Sequence, residues 1–141
     1  MKANELRIGS YYQSVKFNQP VKIDISDFRE LYILCDYAEL DEDIIAEMFK
    51  PIPLTEAWLI DFGLILKRIP DEVDDKKYYD DVYLFNKEYE EFGLCRYNDN
   101  YYFDLVFNDD SGWGTIGVVE IKYVHQFQNL YWCICGKELE K

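Results

Sequence analysis

The sequence predicts an α+β fold in which an N-terminal hairpin and short helices are followed by an antiparallel β-meander packed with a C-terminal helix. Three observations predict it. Apolar residues recur at helical spacing over residues 24–38, 42–49 and 123–135; five β-rich runs lie between residues 64 and 122; short Asn, Asp and Gly clusters separate several of those runs. At 141 residues, with 49% hydrophobic and 18% aromatic residues, the chain has the size and the apolar content of one folded domain. Residues 1–141 are read as a single domain, divisible if at all into 1–63 (hairpin plus helices) and 64–141 (meander plus helix).

The first element expected is a hairpin. Val15-Lys16-Phe17 and Val21-Lys22-Ile23 alternate in polarity across Asn18-Gln19-Pro20, which is turn chemistry. Leu6-Arg7-Ile8-Gly9 also alternates and is expected to add a small strand. The period then changes. Phe28, Leu31, Tyr32, Cys35 and Ala38 mark an amphipathic helix over 24–38, with Asp24 or Ser26 as its N-cap. A shorter helix over 42–49 is expected to follow, capped by Asp41 and burying Ile44, Ile45, Met48 and Phe49.

Pro51 and Pro53 impose extended backbone, and Thr55 is placed to cap a two-turn helix that buries Trp58, Leu59 and Phe62 and stops at Gly63. Strands are expected at 64–69, 79–86, 92–97, 101–108 and 115–122, joined as a meander. Residues 70–77 are charged and read as a hairpin loop. In the fourth strand Tyr101, Phe103, Leu105 and Phe107 share one face while Tyr102, Asp104 and Asn108 share the other with Val106 as its one apolar exception, so one face should be wet. On the last helix Tyr123, Val124, Phe127, Leu130, Tyr131, Ile134 and Cys135 fall on one arc, and Gly136 supplies the stop.

With 15 basic and 28 acidic residues the formal charge is −13. That excess opposes direct binding to a phosphate backbone, which needs Lys and Arg to displace counterions, and suits a basic protein partner. The opening residues have no apolar signal region and no run is long enough to span a membrane, so a cytoplasmic protein is expected. Cys35, Cys95, Cys133 and Cys135 have no C-x-x-C spacing and read as small buried hydrophobes.

Three segments also resemble a family of small proteins of unknown function found in gut-bacterial genomes and their prophages. They are Asn4-Glu5-Leu6-Arg7-Ile8-Gly9, Pro51-Ile52-Pro53-Leu54-Thr55-Glu56-Ala57-Trp58-Leu59 with Phe62-Gly63, and Tyr123-Val124-His125-Gln126-Phe127-Gln128-Asn129-Leu130-Tyr131 with Gly136. The resemblance implies a phage-associated or mobile-element protein of α+β build and supplies no activity or catalytic residues. It departs from the family pattern at Trp132-Cys133-Ile134-Cys135, so it assigns those cysteines no role.

The chemistry-bearing candidates mostly have plainer readings. Gly112-Trp113-Gly114-Thr115-Ile116-Gly117 matches the spacing of a dinucleotide-binding glycine motif, but a strand rather than a helix should follow it. Asn108-Asp109-Asp110-Ser111-Gly112 has adjacent acids instead of the alternating ligands of a calcium loop, and the twelfth residue is Val119. Cys133 and Cys135 project about 200° apart on a helix and cannot grip one metal. No cofactor or metal is expected. His125, the one histidine, is expected to share a narrow polar face with Gln128, Asn129 and Trp132. No Ser or Cys nucleophile with an orienting acid accompanies it, so that face reads as hydrogen bonding to a neighbouring strand end, or else as a binding surface.

The remaining feature is acidic. Residues 24–47 hold nine acids against Arg29 alone, and residues 71–91 hold nine against three lysines. Such runs are usually solvated faces. The functional expectation is therefore a non-enzymatic protein-interaction domain, with an acidic DNA-mimicking decoy as the alternative and an enzyme third.

Overall fold

A computed structural model describes residues 6–35, 42–73, 76–85, 92–109 and 112–141 of the chain. It is an α+β fold. A three-stranded sheet with helices comes first, a five-stranded antiparallel meander follows, and a final helix contacts the first strand. The chain divides into two compact units, Met1–Pro53 with Tyr123–Glu138, and Leu54–Lys122 with Leu139–Lys141.

In the first unit the hairpin is present but displaced from its expected position. β1 (Tyr11–Ser14) pairs with β2 (Gln19–Lys22), and Val15-Lys16-Phe17 lies in the turn. A backbone conformation and a hydrogen bond fix that turn: Asn18 adopts φ 51°, and the Ser14 hydroxyl accepts from the Phe17 N–H at 3.3 Å. The strand falls earlier because Tyr12 and Ser14 are the residues that bury, Tyr12 completely. Leu6-Arg7-Ile8-Gly9 forms no strand: Gly9 sits at φ 90° in a turn, and its N–H reaches the Ile23 carbonyl at 2.8 Å. β3 (Phe49–Lys50) completes the sheet in the order β2-β1-β3.

Two helices cover this sheet. α1 (Ile25–Leu34) starts where Asp24 Oδ1 accepts from the N–H groups of Ser26 at 2.7 Å and Asp27 at 3.1 Å, while Asp27 Oδ2 accepts from the Asp24 N–H at 2.8 Å. The Ser26 hydroxyl also donates to Asp24 Oδ1, and this bond first, then the backbone ones, hold the Asp24 carboxyl below the usual carboxylate range. Leu31 and Cys35 turn inward as expected and Phe28 packs half-buried against the same core, but Tyr32 is exposed. Ala38 and Asp41 lie outside the described residues. α2 (Glu42–Met48) buries Ile45, and Leu6, Tyr12, Ile23, Leu31, Ile45 and Phe49 form the unit's core.

The second unit begins with α3 (Glu56–Asp61). Thr55 occupies its N-cap position without a side-chain hydrogen bond, Trp58 and Leu59 are buried, and Gly63 ends the turn at φ 78°. The meander consists of β4 (Ile65–Val73), β5 (Lys76–Leu84), β6 (Phe92–Tyr97), β7 (Asn100–Asp109) and β8 (Gly112–Ile121), in that spatial order. Residues 70–73, 76 and 77 are ladder rather than loop, with Pro70 opposite Tyr79 and Glu72 opposite Lys77. Charged sequence misleads here because antiparallel strands accept polar residues, and β4 stands at the end of the strand order, where proline is tolerated. Asn98 and Asp99, at φ 48° and 62°, make the tight turn between β6 and β7.

Val82, Tyr83, Leu84 and Phe85 are consecutive and all buried, so β5 is covered on both faces at its end. On β7, Tyr101 is buried, while Tyr102 and Phe103 are both half-buried. The register of β7 on β8 shifts between Phe103 and Asp104, a bulge that bends the pair. The edge strands β4 and β8 come into contact, as a strongly coiled sheet allows.

α4 (Val124–Cys135) belongs to the first unit and contacts β1. Its entry is set by the Val124 N–H bonding the Ile52 carbonyl at 2.9 Å and by Gln126 accepting from the Tyr123 N–H at 3.3 Å. It stops at Gly136, whose φ of 63° supplies the left-handed cap.

Candidate functional site

The four residues expected to share a polar helix face do not form a surface. His125 is 1% exposed and Gln128 is fully buried. Gln128 Oε1 accepts from the Tyr11 N–H at 2.8 Å, and its Nε2 donates to the Gly9 carbonyl at 3.3 Å. The His125 ring stacks on Tyr12 at 4.8 Å and on Tyr123 at 5.7 Å. Asn129 is half-buried, and only Trp132 is exposed, with the Arg7 guanidinium 5.3 Å above its ring. Arg7 is held in turn by Glu138 at 2.9 Å. The helix is thus buried over a wider arc than its apolar residues mark, because β1 offers backbone groups that a glutamine can satisfy. Three of the cysteines are buried as expected; Cys133 is exposed.

A groove of about 440 Å³ that combines apolar and charged groups lies elsewhere in the first unit, beside the hairpin turn. α1 forms one wall, along which Asp24, Asp27, Glu30 and Leu34 follow helical spacing. The hairpin supplies Phe17, Val21, Lys16 and Lys22, and the end of α2 supplies Glu47 and Met48 above the buried Phe49. Two apolar side chains stand out to solvent at its rim: Phe17 is 61% exposed and Leu34 is 52% exposed. A second depression of about 610 Å³ lies along Ile25, Phe28 and Tyr32 of the same helix, with Ile25 72% exposed. An amphipathic helix normally leaves a polar outer face; α1 leaves Ile25, Tyr32, Ile33 and Leu34 exposed.

Sequence reasoning missed this groove because it placed Val15-Lys16-Phe17 in a strand. The left-handed preference of Asn18 was the signal that could have moved the turn and put Phe17 at its tip.

The second unit holds a polar cluster of different character. The Tyr83 hydroxyl donates to Glu56 Oε1 at 3.0 Å, and Arg96 lies 3.7 Å from Glu56 Oε2 and 2.6 Å from Asp99. Burial first, then the Glu56 carboxylate, push the Tyr83 phenol up to about 12. Tyr101 packs edge-on to Tyr83 at 5.9 Å, and burial raises its phenol as well. The cluster links α3 to β5 and β6 through Glu56, Tyr83 and Arg96.

Among the described residues no three His, Cys, Asp or Glu side chains are grouped so as to hold a metal ion, and no helix is long and apolar enough to cross a membrane. No family model, no curated protein and no solved structure matches the chain.

Proposed function

We propose that this protein is a non-enzymatic interaction domain that docks a protein partner, one expected to be basic, through its N-terminal unit. The observation behind the reading is the groove beside the hairpin turn, where Phe17 and Leu34 expose large apolar side chains around a floor of Val21 and Met48. Exposed apolar groups around a concavity are poorly solvated, and covering them on binding releases that cost. Phage or mobile-element association, which the sequence resemblance implies, and a cytoplasmic setting belong to the same proposal.

The alternative is an acidic decoy for a DNA-binding protein. It draws on the net charge of −13 and on the exposed acids Glu30, Glu42, Asp43 and Glu47 of α1 and α2. Binding of that kind would compete with duplex DNA and weaken steeply with salt.

The test compares affinity capture by the native chain with capture by a Phe17→Asp, Leu34→Asp variant of unchanged circular dichroism. A host protein enriched by the native chain and lost with the variant supports the groove as the docking surface. Equal recovery by both chains overturns it. Displacement of the captured protein by duplex DNA would favour the decoy.

A further inference from the structure

The groove has a charge imbalance that narrows the partner's chemistry. Its walls hold four carboxylates against the two ammonium groups of Lys16 and Lys22. Asp24 and Asp27 spend oxygens on capping α1. Glu30 and Glu47, on two different helices, form no ion pair among the described residues. Glu47 also sits in the last turn of α2, where the helix's partial negative charge accumulates, and neither α1 nor α2 has a basic residue in its last turn. The groove therefore presents a negative potential that its own lysines leave uncompensated, directly beside apolar groups.

The shape narrows the partner's conformation. From Asp24 to Leu34 the groove follows the whole of α1, a span of about 15 Å at the helical rise. That length suits about three turns of a docked helix. Strand addition at β2 is disfavoured, because the strand is four residues long and Pro20 removes one donor. Resting on the reading of this groove as a docking surface, we infer that it takes an amphipathic helical segment of a basic protein, whose apolar side chains cover Phe17, Val21, Leu34 and Met48 and whose Lys or Arg groups meet Glu30 and Glu47.

The probe is a designed 14-residue helical peptide with Leu at i, i+3, i+4 and i+7 and Lys between, set against a twin with Glu in place of Lys. Amide shifts of the full chain are followed by NMR as each is added. The Lys peptide should move Phe17, Val21, Leu34 and Met48, and the Glu twin should not. A Glu30→Gln, Glu47→Gln variant should bind the Lys peptide about three- to tenfold more weakly. A Glu42→Gln, Asp43→Asn variant, which loses the same charge outside the groove, should bind like the native chain. Equal groove shifts from both peptides, or equal loss in both variants, would overturn the basic helical partner while leaving the docking surface standing. Shifts confined to other surfaces would overturn the inference outright, and the capture experiment with Phe17→Asp, Leu34→Asp then decides separately whether the surface reading survives.

Discussion

The side-chain amide of Gln128, in the middle of α4, accepts a 2.8 Å hydrogen bond from the backbone N–H of Tyr11. The same amide donates to the Gly9 carbonyl at 3.3 Å, so one glutamine bonds the chain on either side of residue 10. Gln128→Leu should destabilise the protein by about 2–4 kcal/mol, since buried polar groups lose a partner and gain none. Gln128→Glu should be at least as damaging, because it cannot donate to Gly9 and brings a charge into a dry site. Urea denaturation with a tyrosine or tryptophan fluorescence readout checks both.

The stacking of His125 between Tyr12 and Tyr123 predicts that shape matters more than polarity there. His125→Ala opens a cavity in a fully packed site and should cost about 2–4 kcal/mol. His125→Phe, which keeps an aromatic plane in the stack, should retain most of that stability. Equal losses for the two variants, measured by the same denaturation, would show that the ring's stacking is not what holds the helix.

The Tyr83 to Glu56 bond predicts an alkaline loss of stability. The folded phenol ionises at about 12, above its ordinary value of 10.0. The neutral form is the one the fold favours, so this contribution is whole below pH 10 and disappears as the pH rises from 10 through about 12. Titration of the tyrosine absorbance should show a late-ionising phenol that is missing in Tyr83→Phe. That variant should lose about 1 kcal/mol at neutral pH and show a shallower decline above pH 10.

Two glycines should respond differently to alanine. At Gly136 an added Cβ would meet nothing within 4 Å, so the cost is the left-handed backbone alone, about 1 kcal/mol. At Gly93 it would lie 2.9 Å from Val82 Cγ1 and 3.1 Å from the Tyr83 carbonyl. That clash falls at the Leu84–Gly93 end of the β5–β6 ladder, against buried groups, and Gly93→Ala should cost about 2–3 kcal/mol or more. Thermal unfolding followed by circular dichroism ranks the pair.

Much of this architecture is legible in local residue patterns. Gly63 and Gly136 mark their helix ends, Asp24 its helix start, and the period of α4 can be counted from Val124 to Cys135. These features depend on nearest neighbours along the chain, whose sterics and capping bonds need no tertiary partner. The order of the five meander strands follows for a similar reason, since short connections make sequential strands neighbours.

Other features depended on long-range contact. Whether α4 lies on the first sheet or the second has no local signature; it is decided by the match of Gln128 to the backbone at Gly9 and Tyr11, more than a hundred residues away. That match also turns His125 and Gln128 from an apparent polar face into buried structure, since a polar side chain is buried at little cost once its hydrogen bonds are met. The groove is a tertiary product in the same sense. Phe17, Glu30, Leu34, Glu47 and Met48 belong to three elements whose local patterns, a strand for Phe17 and a buried stripe for Met48, say nothing of their meeting; they adjoin because Tyr12, Leu31, Ile45 and Phe49 share one core beneath them.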